Sequence, residues 1–225
     1  GAKMSWKRGD LGGVLSRLKI AFAAALIITV GVALTAGVRD IIAALGLGLA
    51  SWLIVGSAVE AAERIALFRG PLSASWRRAG GLPRSFWGMV IAHGALGLTV
   101  AGITASSAWQ DEHIQLMQAG DRTKVGPYEL TFEGATPVKG PNWAGERGKF
   151  TVTRDGKPVT ELFPEKRNYP AERNQTTEAA IHYTVAGDLY TVLGERAKSG
   201  GWSTRLYFNP LVAWIWIGAV AMAFG

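Results

Sequence analysis

One histidine stands inside an apolar run that is long enough to cross a lipid bilayer. The segment reads Phe86-Trp-Gly-Met-Val-Ile-Ala-His93-Gly, and the apolar run continues to about Ala108. An imidazole in such a span must be satisfied by a partner side chain, a metal or a ligand, because no water is available there. His93 is therefore the leading candidate for a functional side chain.

Two small residues follow His93 at helical spacing. Gly97 and Ala101 lie four and eight positions further on, so a helix would place them on nearly the same face as the histidine. We expect this face to be stripped of bulk, so that another helix or a flat macrocycle can lie close to it. From the residues alone, two interpretations remain open, a histidine bonded to a neighbouring helix and an axial ligand of haem iron.

The two other histidines carry weaker signals. His182 lies in the run Ile181-His-Tyr-Thr, where strand alternation predicts a solvated position. His113 follows Asp111 and Glu112 directly after an apolar run, and we expect it to be solvated as well. Neither histidine has partners at the spacing of metal ligands.

Four apolar segments account for most of the chain outside its centre. Residues 20–38 and 41–67 predict two membrane helices in a tight hairpin, 86–108 predict a third that carries His93, and 209–225 predict a fourth that looks truncated. The chain also has no methionine at position one, and we expect it to be a fragment of a longer protein.

Charge predicts the orientation of these helices. The flanking segments 1–19 and 68–85 are basic and should lie in the cytoplasm, which leaves 109–208 on the outer, periplasmic side. The outer segment is neutral, since it holds thirteen basic and thirteen acidic residues, so the net charge of +7 belongs to the membrane flanks. This distribution reports orientation and argues against a nucleic-acid partner.

The outer segment reads as mostly β. About six short runs are rich in β-branched and aromatic residues, and Asp155-Gly156 is the two-residue signal of a tight hairpin. The predicted fold class is an α-helical transmembrane bundle of four helices with an inserted small, mostly-β extracytoplasmic domain, either a barrel or a sandwich. Because the chain contains no cysteine, any thiol that enters its function must come from a partner.

Several motifs resemble the C-terminal part of the CcmF family, the membrane subunit of the cytochrome c haem lyase. The helix motif around His93 is one, and the others follow in the order of the family: Gly140-Pro-Asn-Trp143, Pro164-Glu-Lys-Arg-Asn-Tyr169, Thr176-Thr-Glu178 and Asp188-Leu-Tyr190. The resemblance covers nearly the whole chain. It implies a multi-pass protein of the bacterial inner membrane that handles haem and attaches it to apocytochrome c in the periplasm.

The resemblance assigns a role to His93. It implies a transmembrane haem b with two axial histidines, of which His93 matches one, while the second would come from the missing N-terminal half or from a separate chain. It also implies partners, namely apocytochrome c and the haem chaperone and thiol-handling subunits of the maturation system. The fragment alone is not expected to be active, because the family's tryptophan-rich haem-handling segment and outer histidines are absent from it.

A second candidate site follows from the same resemblance. We expect Pro164 to open a turn with an exposed Glu165, Arg167 and Tyr169, which could contact a partner or a haem propionate, since a guanidinium matches a carboxylate. The alternative is a loop pinned by a contact between Glu165 and Arg167. For the chain as a whole, two other functions stay open: a haem-dependent electron carrier without attachment activity, and a membrane-tethered β-domain that serves as an assembly scaffold.

Overall fold

The chain folds into a helical unit and a β unit. The computed structural model describes residues 11–36, 40–67, 69–198 and 200–225, and the side chains of all of these except 11–17 and 36. The first ten residues of the predicted basic segment, Arg39 in the predicted hairpin tip, and residue 68 lie outside this range. The helical unit is formed by residues up to Ala108 together with Trp214–Gly225, and the β unit is Trp109–Ala213. This division confirms the predicted fold class, a helical membrane part with an inserted mostly-β domain.

Three of the described helices are long and apolar enough to cross a membrane, namely α1, α2 and α4. The fifth helix is also apolar but has only 12 residues. The helices are α1 (Leu11–Ala36), α2 (Ile41–Arg64), α3 (Leu72–Gly80), α4 (Arg84–Ala108) and α5 (Val212–Ala223). The bilayer core has no water to bond backbone N–H and C=O groups. A long uncharged segment that crosses it therefore forms a helix, which bonds these groups within the segment.

The second helix ends earlier than the sequence predicts. The expected span 41–67 stops at Arg64, because Ala66 turns into the left-handed region with a φ of 50°. The N–H groups of Leu67 and Ala66 then donate to the carbonyls of Ala62 and Glu63, which is the Schellman pattern of helix termination. The following segment, predicted as a basic loop, contains the short helix α3.

Small residues form the seams of the helical unit, and large ones point outward. The buried positions of α2 and α4 are almost all alanine or glycine, which lets helix backbones approach closely. By contrast, Leu34 and Ile42 are 80% and 82% exposed. Such an inverted distribution is what a lipid environment favours, because lipid tails are as apolar as the side chains that face them.

The β unit is a sandwich of two antiparallel sheets with ten strands in the described residues. One sheet has the order β1-β10-β9-β8, and the other has the order β2-β3-β4-β6-β7 with β5 paired to β4. The strands are β1 (Asp111–Met117), β2 (Arg122–Val125), β3 (Tyr128–Lys139), β4 (Ala144–Arg154), β5 (Lys157–Leu162), β6 (Glu165–Tyr169), β7 (Asn174–Glu178), β8 (Ala180–His182), β9 (Gly187–Arg196) and β10 (Trp202–Pro210). The expected number of about six was too low, because polar strands such as β2, β6 and β7 lack the apolar alternation that marks a strand in sequence.

One apolar core holds the two sheets together. Phe132 and Phe150 pack at its centre with ring centroids 5.0 Å apart, and Leu189, Leu193 and Leu206 reach them from the opposite sheet. The tight hairpin predicted from Asp155-Gly156 is confirmed. Both residues have positive φ, 51° and 74°, and they join β4 to β5 between the paired residues Arg154 and Lys157.

Candidate functional site

His93 lies in the middle of α4 with its side chain exposed. Its Nδ1 is 2.8 Å from the carbonyl oxygen of Met89, one turn earlier in the helix. A carbonyl oxygen only accepts hydrogen bonds, so Nδ1 carries the ring proton and donates it. In the neutral form of such a ring the lone pair is on the second nitrogen, Nε2, which points away from the backbone, and this is the arrangement of a metal-ligating imidazole.

The face of α4 that carries His93 is open between two helix contacts. On one side, a Cβ added at Gly97 would lie 2.7 Å from Cγ1 of Ile54 in α2. On the other side, a Cβ added at Gly218 of α5 would lie 2.6 Å from the carbonyl oxygen of Ala95. Between these contacts, Leu96 and Ile103 lie on the opposite side of His93 from Gly97 and are 41% and 49% exposed.

Of the two expected neighbours of the small residues Gly97 and Ala101, another helix or a flat macrocycle, the structure shows the helix, because Gly97 packs against α2; His93 itself lies outside this contact. Both residues are buried, and Gly97 lies in the contact with α2. At 100° per residue, Gly97 is rotated by about 40° around the axis of α4 from His93. This rotation is enough to place Gly97 in the contact with α2 while the side chain of His93 lies outside that contact. The open face beside His93 is therefore lined by aliphatic side chains and not by glycine.

Three motifs of the β unit meet around one arginine, although they are far apart in sequence. Arg167 of β6 lies over the ring of Trp143 at 4.3 Å, and its Nη1 is 3.9 Å from Oε1 of Glu178 in β7. The hydrogen bond from the N–H of Gly140 to the carbonyl of Trp143 closes the turn that presents the tryptophan. The motifs Gly140–Trp143, Pro164–Tyr169 and Thr176–Glu178 thus build one cluster, which we call the Arg167 cluster.

The centre of the Arg167 cluster is a buried carboxylate. The side chain of Glu165 is only 7% exposed, and two arginines bind its two oxygens. Arg147 of β4 lies across from Glu165 in the register and donates through Nε and Nη2 to Oε1, each at 2.6 Å. Arg167 donates through the same two nitrogens to Oε2, each at 2.7 Å. A carboxylate bound by two guanidinium forks has its acceptor capacity fully used.

The arginines control the ionisation of Glu165. Burial by itself would raise the pKa of this carboxyl, but hydrogen bonds and charge attraction from Arg167 and Arg147 outweigh burial and hold the pKa below its usual value. In return, Glu165 raises the pKa of Arg167, with a further contribution from a hydrogen bond to Tyr169. Glu165 and Arg167 are therefore both charged at neutral pH.

The expectation of an exposed, proline-opened turn at 164–169 is wrong. Glu165–Tyr169 form strand β6 between β4 and β7, and Glu165 is buried. The contact between Glu165 and Arg167, which the sequence suggested as an alternative, is present. Sequence reasoning missed Arg147, because only the register of β4 against β6 brings it to Glu165.

The other histidines lie in the β unit. His113 is in β1, and its Nε2 is 3.2 Å from Oδ1 of Asp111. His182 is half-buried, where a solvated position was expected, because the buried ring of Tyr128 packs edge-on against it at 5.9 Å. Within the described part of the chain, no group of three or more metal-ligating side chains comes together.

Comparisons with known proteins agree with this architecture. A family model described as the CcmF C-terminal beta-sandwich matches residues 108–210. The cytochrome c-type biogenesis protein CycK of Bradyrhizobium diazoefficiens is 39% identical over 226 residues, which cover the whole chain and 34% of that protein. The cytochrome c-type biogenesis protein CcmF of Escherichia coli is 42% identical over 181 residues, which cover 80% of the chain and 26% of that protein.

A solved structure has the same fold. The cytochrome c haem lyase CcmF aligns over 97% of the chain and 34% of its own length with a TM-score of 0.71 and 20% sequence identity. The chain spans about a third of the length of the curated relatives that it matches over its full extent.

Proposed function

The chain belongs to the CcmF family, to whose C-terminal part it corresponds, and from this premise we propose that it binds a transmembrane haem b through His93 and takes part in attaching haem to apocytochrome c. It is a membrane protein, and three of its helices are long enough to span. The relatives are named as cytochrome c-type biogenesis proteins. We further propose that the membrane is the bacterial inner membrane, with the segments 1–19 and 68–85 in the cytoplasm and 109–208 in the periplasm.

The single observation that carries this proposal is the orientation of the His93 imidazole. Its Nδ1 proton is donated to Met89, and its Nε2 faces away from the helix on an open face. The neighbouring Leu96 and Ile103 offer the aliphatic surface that the flat, apolar porphyrin requires. The donor set therefore fits haem iron, which neutral imidazole binds as an axial ligand.

His93 would hold the haem iron from one side, and a second histidine would complete the pair. In this proposal the second ligand lies in the upstream part that the longer relatives carry. When bound, the haem would supply a one-electron redox centre, which could keep the iron of the delivered haem ferrous while cysteine thiols of the apocytochrome add to its vinyl groups. This chain contributes the ligand, its orientation through Met89, and an apolar wall that excludes water.

The partners follow from the same premise. Apocytochrome c brings the thiols, since this chain has no cysteine. A haem chaperone and thiol-handling subunits of the maturation system are further proposed partners. The predicted contact of Glu165, Arg167 and Tyr169 with a partner or a haem propionate stays a prediction, and the use of Glu165 by two arginines favours a structural role for that carboxylate.

The test is the reduced-minus-oxidised absorption spectrum of the protein, joined to the upstream part that the relatives carry and purified in detergent. We expect a b-type signal that is lost in His93→Ala and kept in the matched histidine controls His113→Ala and His182→Ala. A fourth variant, His93→Gly, should regain the signal when free imidazole is added, which distinguishes loss of the ligand from loss of the fold.

Equal haem content in His93→Ala and in the wild type would contradict the proposal. The yield of covalent cytochrome c in cells separates the remaining alternatives. If the protein is an electron carrier without attachment activity, His93→Ala should lose its haem but leave the yield of covalent cytochrome c unchanged. If the protein is a scaffold, that yield should depend on an intact β unit and should not change in His93→Ala.

A further inference from the structure

The loop between β8 and β9 lies beside the point where the chain enters α5. The N–H of Leu211 donates to the carbonyl of Ala186 at 3.0 Å, and Gly187 pairs with Pro210 in the register of β9 and β10. Helix α5 begins at Val212, directly after this hydrogen bond. The loop is therefore attached to the last residues of the β unit before the apolar helix.

Hydrogen bonds and close packing hold this loop in one conformation. The hydroxyl of Thr184 accepts from the N–H of Gly187 at 3.1 Å and also bonds the carbonyl of the same residue. A Cβ added at Gly187 would lie 2.7 Å from the carbonyl oxygen of Asn209 and from the ring of Phe208. The loop thus packs directly on the end of β10.

With Thr184 turned inward, its two neighbours turn outward. Tyr183 is 71% exposed and Val185 is 66% exposed, and these are the two most exposed large hydrophobic residues in the described part of the β unit. No charged residue occurs from Tyr183 to Gly187. The nearest acidic group, Asp188, has its Oδ1 buried. The outer surface of the loop is therefore uncharged and amphipathic.

We propose that residues 183–186 dock into the interfacial layer of the lipid bilayer and anchor the β unit at the membrane surface. An isolated exposed apolar residue needs no explanation in a soluble domain, but two of them on an uncharged loop that is hydrogen-bonded to the residue before an apolar helix do. Tyrosine suits this layer, because its ring is apolar and its hydroxyl remains hydrated. Lipid is the occupant because the backbone bond from Leu211 to Ala186 holds the loop at the start of α5.

The absence of cysteine makes a direct test possible. Val185→Cys is labelled with the environment-sensitive fluorophore NBD, and the chain is placed in phosphatidylcholine nanodiscs. Val159→Cys serves as the matched control, because Val159 is also an exposed valine, at 39%, but lies in β5 of the other sheet. Quenching by a lipid that carries a nitroxide below its headgroup is compared with quenching by aqueous iodide.

We expect the label at 185 to emit at shorter wavelength and to be quenched at least threefold more strongly by the nitroxide lipid than the label at 159. Iodide should show the reverse order. The same order for a label at Tyr183→Cys keeps the test valid if Val185→Cys does not fold. The proposal is overturned if both labels behave alike, or if the label at 185 is shielded from both quenchers, since a protein would then cover the loop.

Discussion

The two units differ in how fully their central polar side chains, Glu165 and His93, are hydrogen-bonded. In the β unit, Glu165 is buried and both of its oxygens are bound by arginines of its own unit. In the helical unit, His93 is exposed, and among the described residues only the carbonyl of Met89, in its own helix, bonds its ring. The carboxylate of the β unit is thus fully bonded, whereas Nε2 of His93 has no bonded partner among the described residues. Two guanidinium groups on one buried carboxylate favour a role in stability for Glu165, whereas the binding role of His93 is a proposal.

The largest effect is expected when the packing between α2 and α4 is disturbed while the open face of α4 around His93 stays unchanged. Gly97→Ala places a Cβ 2.7 Å from Ile54 and 2.9 Å from the carbonyl oxygen of Ala50, and the backbone atom cannot move aside cheaply. We expect a loss of about 3 kcal/mol in the free energy of unfolding of the helical unit. The loss is measured by titration with denaturing detergent.

Gly31→Ala is the matched control for this prediction. A Cβ at Gly31 meets nothing within 4 Å, so the substitution should be neutral or should stabilise α1 by about 1 kcal/mol. Equal effects at both glycines would show that the seam between α2 and α4 is not where the helices pack.

A smaller effect is expected when the polar site of the β unit is broken. Glu165→Ala leaves Arg147 and Arg167 without their shared carboxylate, and because both arginines are partly exposed, water can replace part of the loss. We expect thermal unfolding of the β unit to report a loss of about 2 kcal/mol.

The control for Glu165 is Glu161→Ala, which removes an exposed ion pair with Lys149 and should cost about 0.5 kcal/mol or less. The b-type spectrum proposed for His93 should be the same in both variants. Loss of haem in Glu165→Ala with an intact β unit would argue that the Arg167 cluster is itself part of the haem site.

The smallest expected effect is a change of the β unit's stability with pH. Glu165 and Asp188 should contribute to it with opposite signs. The pKa of Glu165 is lowered in the folded state. Glu165 therefore stabilises the folded β unit at pH values above its unfolded pKa of about 4.3, and this stabilisation is lost as the pH falls through the folded pKa. Burial raises the pKa of Asp188, against a backbone hydrogen bond from Thr184 and the charge of His182. Asp188 therefore stabilises the folded β unit, relative to high pH, below its unfolded pKa of about 3.9, and this stabilisation is lost as the pH rises through the folded pKa.

Asp188→Asn should accordingly raise the melting temperature of the β unit at pH 7, since Oδ1 is buried and has no hydrogen-bond partner among the described residues. Glu165→Gln should lower the melting temperature at pH 7 and flatten its decline in acid. Melting curves from pH 3 to pH 8 check both signs, and parallel curves for the two variants would contradict the assignment.

The parts of the fold that followed from sequence rest on strong local signals. Long uncharged runs predicted the membrane helices, because a backbone in lipid must satisfy its own hydrogen bonds. The Asp155-Gly156 pair predicted its hairpin, because both positions require positive φ. The polar strands β6 and β7 gave no such signal and became strands only through pairing with β4 and with each other.

The chemistry divides in the same way. Sequence by itself determined that an imidazole lies inside an apolar span and that no thiol belongs to this chain, because both are facts of composition and order. Tertiary structure alone decided that His93 faces outward while Gly97 is buried against α2, since a rotation of about 40° on a helix separates a contact from an open face. It also decided that Arg147 meets Glu165, because the register of two strands joins residues that are eighteen positions apart.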